Sequence, residues 1–220
     1  MLKLTFNHQS QDSLRQVLCL GAHSDDIEIG CGGTILKLIE TFPDLSFYWV
    51  VFGAAGARQE EALASANTFL KSAGGTKSVV VKGFRDSFFP YIGAEIKESF
   101  EQLRKEVSPD LILTHYRYDL HQDHRVISDL TWNSFRNHLI LEYEIPKYDG
   151  DMGIPNIFVH LNESICQRKV NYLIENFATQ SNKHWFSSDT FLSILRLRGI
   201  ESNAPDKYAE AFYCRKSVLI

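Results

Sequence analysis

A chain of 220 residues is long enough for one well-developed hydrophobic core and short for two, so the length predicts a single domain over residues 1–220. Hydrophobic residues at 44% and aromatic residues at 12% indicate a globular protein. Lys and Arg number 23 against 27 Asp and Glu, and the resulting net charge of -4 argues against nucleic acid or another polyanion as the main partner.

No apolar run approaches the roughly 18 residues needed to span a bilayer, so no integral membrane segment is expected. The polar stretch 7–12 stands where a secretory signal would need its apolar region. Together these predict a cytoplasmic protein. Cys19, Cys31, Cys166 and Cys214 are dispersed without Cys-x-x-Cys pairing and read as reduced packing residues.

Strand-like apolar runs alternate with helical patterns along the chain. Strands are predicted at 17–21, 46–52, 78–81 and 111–114, and helices at about 32–40, 58–72, 94–107 and 124–137. Parallel neighbours need crossover connections, so this alternation predicts a Rossmann-like three-layer α/β/α sandwich with a mostly parallel sheet. Beyond Leu139 the alternation weakens. Residues 146–155 read as a long loop, either a substrate-facing lid or a plain surface connection. Helices at about 163–177 and 190–198 and a strand at 208–214 complete the chain.

Two clusters carry the chemistry. His23-Ser24-Asp25-Asp26 ends the first strand and is followed by Gly30-Cys31-Gly32-Gly33, while His115 and then Asp119-Leu120-His121-Gln122-Asp123-His124 follow the strand at 111–114. An imidazole and two carboxylates within four residues are costly to bury without a cation. In the common strand order the first and fourth strands are neighbours where the winding reverses, which brings the clusters together. A hydrolytic zinc site needs about three protein ligands and an open position, and His23, Asp26 and His124 supply that set. Asp25 then remains unligated as a candidate general base. His121, three residues before His124, is placed to hydrogen-bond a substrate oxygen, with Asp123 expected to hold it charged. The plain alternatives are a capping Asp and a satisfied loop His. The glycines suggest a dinucleotide site, but the Gly-x-Gly-x-x-Gly spacing is missing and two aspartates would repel a pyrophosphate.

At these residues the chain resembles the PIG-L/LmbE-like metal-dependent de-N-acetylases. The family's His-Pro-Asp-Asp-Glu signature appears as His23-Ser24-Asp25-Asp26-Ile27, and its His-x-Asp-His signature as His121-Gln122-Asp123-His124. The resemblance extends through Arg58-x-x-Glu61 and covers most of the first 140 residues. It implies zinc on His23, Asp26 and His124, with Fe2+ or another divalent ion as the alternative, Asp25 as base and His121 as acid or oxyanion stabiliser. Ser24 replaces the usual Pro and Ile27 the usual Glu, with Glu28 one place later. The implied reaction is removal of acetyl from an N-acetylglucosamine-type conjugate, a small soluble molecule. The competing readings are an amidase for a larger N-acyl amino sugar and a non-catalytic sugar-binding module.

Three further segments have two readings each. Arg58 is a candidate substrate-binding residue or half of an Arg58–Glu61 pair. The aromatics of 84–91 suit stacking on a sugar or core packing. Arg196 and Arg198 suit an anionic tail, a helix C-terminus or a homo-oligomer interface.

Overall fold

In the computed structural model, which describes Phe6 and residues 14–218, thirteen principal elements are arranged around one sheet. The polar stretch 7–12 lies outside the described residues. In chain order the elements are β1 (Gln16–His23), α1 (Asp26–Thr41), β2 (Ser46–Gly53), α2 (Ala57–Phe69), β3 (Lys77–Val81), α3 (Gly93–Glu106), β4 (Leu111–His115), α4 (Gln122–Ser134), β5 (Leu139–Tyr143), β6 (Ile157–Leu161), α5 (Glu163–Asn176), α6 (Ser188–Glu201) and β7 (Tyr208–Tyr213). The strand order is β3-β2-β1-β4-β5-β7-β6. Strands β1 to β5 pair in parallel, and β7 runs antiparallel to both neighbours.

Alternation along β1 explains the layers. Val17 and Cys19 join one core with Ile35 of α1, Phe69 of α2, Leu173 of α5 and Leu195 of α6. Leu18, Leu20 and Ala22 join a second core with Phe100 of α3 and Ile127 of α4. Both faces of the strand are apolar because helices cover both, as parallel sheets require. Among the described residues no helix is long and apolar enough to cross a membrane.

Two strands and one boundary differ from the sequence expectation. β5 carries Glu142 in its short apolar run, yet that residue is buried because Arg117 N–H (3.0 Å), Trp132 Nε1 (2.5 Å) and the Arg215 guanidinium satisfy it. β6 is a short edge strand interrupted by His160. Helix α1 begins at Asp26, before the glycines rather than after them, and breaks at Cys31 (φ -144°, ψ 15°). The glycines serve close packing: a Cβ on Gly30 would lie 2.1 Å from the Tyr143 ring, and one on Gly33 would lie 2.5 Å from Leu161.

The break frees backbone groups inside the core, and a buried ion pair takes them up. Glu210 accepts Gly33 N–H (2.8 Å) and Thr34 N–H (2.5 Å), while Lys169 Nζ donates to Ile29 O and to Glu210, both at 2.6 Å. The turn of α1 that carries Asp26 is thereby held at a fixed angle to the rest of the helix.

Candidate metal centre

Strand β1 pairs directly with β4, so the chains leaving their C-terminal ends meet at one crevice. His23 ends β1 and Asp26 opens α1, whereas His115 ends β4 and His121 caps α4. His23 Nδ1 lies 3.4 Å from Asp26 Oδ2 and 3.3 Å from His124 Nε2, and His124 Nε2 lies 3.5 Å from Asp26 Oδ1. Donors bonded to a tetrahedral ion at about 2.0–2.2 Å sit about 3.3–3.6 Å apart, and the two ring nitrogens have that spacing from each other and each from one oxygen of the Asp26 carboxylate, as a candidate cation centre requires.

The opposite ring nitrogens are held by carboxylates. His23 Nε2 faces Asp123 Oδ2 and Asp86 Oδ1, each at 3.2 Å, and His124 Nδ1 faces Asp119 Oδ2 at 2.9 Å. This is the arrangement that orients ligating imidazoles. His115 also approaches Asp26 Oδ2 (3.2 Å), but its Nε2 accepts the Ala22 N–H at 2.9 Å and so lacks a free lone pair. Its ring stacks on His124 with centroids 4.0 Å apart and buttresses it.

The protonation states suit a cation. Burial would raise the Asp26 pKa, but the facing His124, His115 and His23 hold it well below the usual range. Burial, reinforced by His115, lowers His124 to about 4 and leaves it neutral at pH 7. Burial also opposes a charge on His23, yet Asp123, Asp26 and Asp86 outweigh it and raise its pKa well above 6.5. A cation at Nδ1 would replace that proton.

Asp25 occupies the N-cap position of α1 but makes no side-chain cap bond, and its Oδ2 is buried without a hydrogen-bond partner. Capping therefore does not account for it. Burial and the neighbouring Asp26 push its pKa up to about 6, against the opposing charges of Arg58, His23 and Lys183.

The expected His121–Asp123 side-chain pair does not form. The Asp123 carboxylate accepts Ser87 N–H (2.6 Å) and Phe89 N–H (3.1 Å) besides facing His23. Only the Asp123 backbone N–H reaches His121, at Nδ1 (3.3 Å). Burial and the charge on His23 lower the His121 pKa, so this imidazole is neutral rather than held charged. Ser87, at φ 69°, carries the turn that delivers these N–H groups.

Arg58 does not pair with Glu61. Its Nη1 meets Asp86 Oδ2 (2.7 Å) and its Nε the Ser24 hydroxyl (3.3 Å), whereas Glu61 accepts from Thr179. In 84–91, Phe89 is buried in the core and Tyr91 is exposed. Arg198 forks onto Glu144 with two 2.7 Å bonds. Ile27 turns into the core, and Glu28 is fully buried with neither carboxylate oxygen hydrogen-bonded, so burial drives its pKa well upward.

Asp86, Asp119, Lys147 and the buttress His115 complete the surroundings of the site. Asp119 belongs to the second cluster, two residues ahead of the His-x-Asp-His motif. Asp86 and Lys147 lie on loops with no periodic signal.

Fold and geometry define a class, a Rossmann-like α/β protein with a candidate His/Asp metal site at the switch point of its sheet. The family described as PIG-L: GlcNAc-PI de-N-acetylase matches residues 18–135, more than half of the chain, and the chain belongs to that family. It is 32% identical over 135 residues to a diacetylchitobiose deacetylase of Thermococcus kodakarensis, covering 56% of this chain and 50% of the relative. The chain thus spans about half the length of that curated relative. Its fold is similar to that of N,N'-diacetylchitobiose deacetylase from Pyrococcus horikoshii, with a TM-score of 0.68 and 23% identity over 91% of this chain and 84% of the other. It is equally similar to GalB, the 4-carboxy-2-hydroxymuconate hydratase of Pseudomonas putida KT2440, with a TM-score of 0.69 and 16% identity over 94% and 98% of the two chains. A deacetylase and a hydratase share the fold, so the reaction has to be argued from the site.

Proposed function

We propose that this protein is a metal-dependent hydrolase that removes the N-acetyl group from an N-acetylglucosamine-type conjugate. The observation that carries the proposal is the buried, unpartnered Asp25 Oδ2 beside three mutually spaced cation donors. His23, Asp26 and His124 would hold the ion. When bound, it supplies the Lewis acidity that polarises an acetyl carbonyl and acidifies water. Zinc suits this donor set, and ferrous iron suits the same imidazoles and carboxylate.

Asp25 accepts the proton of the attacking water and returns it to the departing amine, a role for which a base poised near 6 is matched. His121 Nδ1 accepts the Asp123 N–H, which leaves the ring proton on Nε2. That N–H is the donor for the carbonyl oxygen as negative charge develops on it. Asp123 acts through His23 and the 87–89 turn as a positioning residue. Arg58, with its side chain 27% exposed, has guanidinium N–H groups beyond those bonded to Asp86 and Ser24 for a sugar hydroxyl. The proposed setting is the cytoplasm and the proposed substrate a small soluble conjugate, in keeping with four free cysteines.

Incubation of zinc-loaded protein with a panel of N-acetylhexosamine conjugates tests the reading. Acetate and a new primary amine should appear in equal amounts. Release of a larger acid would favour the amidase reading, and binding without release the sugar-binding module.

A further inference from the structure

We propose that Lys147, carried on the loop between β5 and β6, is a positioning residue that sets the affinity of the cation centre through Asp119. The inference rests on the metal-centre reading above and concerns residues outside both sequence motifs.

Asp119 is buried, and its carboxylate is fully engaged. Oδ1 accepts the His121 N–H at 2.8 Å, while Oδ2 faces His124 Nδ1 at 2.9 Å and Lys147 Nζ at 3.0 Å. One carboxylate therefore fixes both the start of α4 and the ring of a candidate ligand. With Nδ1 committed to Asp119, His124 presents Nε2 toward Asp26 and His23.

The Lys147 side chain is only 9% exposed and bridges Asp119 to Asp151, whose Oδ2 lies 2.5 Å from Nζ and also accepts the Leu120 N–H at 2.7 Å. A cation between two buried carboxylates closes the 144–156 loop onto the 116–121 loop. The far side of the closing loop is anchored as well. Glu144 is forked by Arg198, whose Nη2 also reaches Gly153 O, and Gly153 N–H donates to the Tyr213 hydroxyl at 3.0 Å. The lid-or-connection alternative thus resolves into a strap tied at both ends, with Lys147 as its contact to the centre.

Without Lys147 the Asp119 carboxylate has a free lone pair and an uncompensated buried charge beside Asp151, and only the His121 N–H and His124 itself still hold its orientation. Partners of this kind typically change metal affinity by about 10–100-fold.

The test is a cobalt(II) titration in competition with a chelator, using the parent, Lys147→Met, Asp119→Asn and the double variant, with melting of each metal-free protein alongside. Lys147→Met should weaken cobalt binding at least about 10-fold and alter the visible absorption of the bound cobalt. The double variant should bind no more weakly than the weaker single one, because Lys147 acts through Asp119. Should Lys147→Met not fold, Lys147→Gln keeps a donor of similar reach, and at least a fivefold weakening is expected. Lower melting with cobalt affinity unchanged, or single effects that multiply in the double variant, would overturn the proposal. A parent that takes up no cobalt overturns the metal-centre reading as well, whereas variants matching a cobalt-binding parent overturn this inference alone.

Discussion

The turns that follow β1 and β4 are built to opposite specifications. At the β1–α1 turn, Asp25 Oδ2 and both Glu28 oxygens are buried without partners, inside a helix that breaks five residues after Asp26 and is mended from β7 and α5. At the β4–α4 turn nearly every polar atom is used: Asp119 serves His124, His121 and Lys147, and Asp123 serves Ser87, Phe89 and His23. The contrast teaches that polar groups left unsatisfied in a core mark where chemistry is expected, while saturated ones mark the frame that positions it. Substitution of the unpartnered Asp25 in the first turn should cost activity, and substitution of the saturated Asp123 in the second should cost stability.

The strongest way to break this comparison is Asp26→Ala. Stoichiometric metal uptake and turnover should both vanish while circular dichroism stays near the parent's and the melting temperature falls modestly, since the His23 N–H loses its Asp26 Oδ2 partner at 2.6 Å. Metal content measured on the folded variant checks it. Full occupancy would remove Asp26 from the ligand set.

Asp123→Ala probes the saturated turn. It strands the Ser87 and Phe89 N–H groups, each costing about 1–3 kcal/mol when buried without a partner, so stability should fall by about 2–4 kcal/mol in a urea titration. An unchanged midpoint would mean that the 87–89 turn finds other partners.

Arg58→Gln sharpens the electrostatics. Asp25 must be ionised to accept a proton, so activity should rise with pH through its pKa. The Arg58 charge lowers that pKa, and its removal should move the acid limb of kcat/KM to higher pH. A limb that stays in place, or moves to lower pH, would show that another group controls it.

Glu61→Gln should do least. Its bonds to Thr179 are exposed, so turnover should be unchanged and stability should fall by no more than about 1 kcal/mol. A large loss of turnover would place Glu61 in the substrate site.

Much of this architecture was legible before the structure, for physical reasons. Apolar runs at 17–21 and 111–114 located two buried parallel strands, and topology then forced His23, Asp26 and His124 into one crevice. Ring-nitrogen assignments were not legible, because Asp86 reaches His23 from beside a strained turn at Ser87 that has no periodic signature, and the same turn holds the Asp123 carboxylate of α4 against His23. The proximity of Asp123 to His121 in sequence suggested an ion pair, but the helical cap directs that carboxylate elsewhere. Gly30 and Gly33 looked like a turn because their reason, contact with Tyr143 and Leu161, lies on strands distant in sequence. Glu142 and His160 hid β5 and β6 by interrupting short apolar runs.

The central claim is that Asp25 is the base beside an intact cation centre. It is tested most directly by acetate release from an N-acetylglucosamine conjugate, comparing the parent with Asp25→Asn at matched metal content. The account predicts full metal occupancy in both proteins and at least about a 100-fold lower kcat in the variant, the usual scale for a positioned base. Near-parent turnover in fully metallated Asp25→Asn would contradict it.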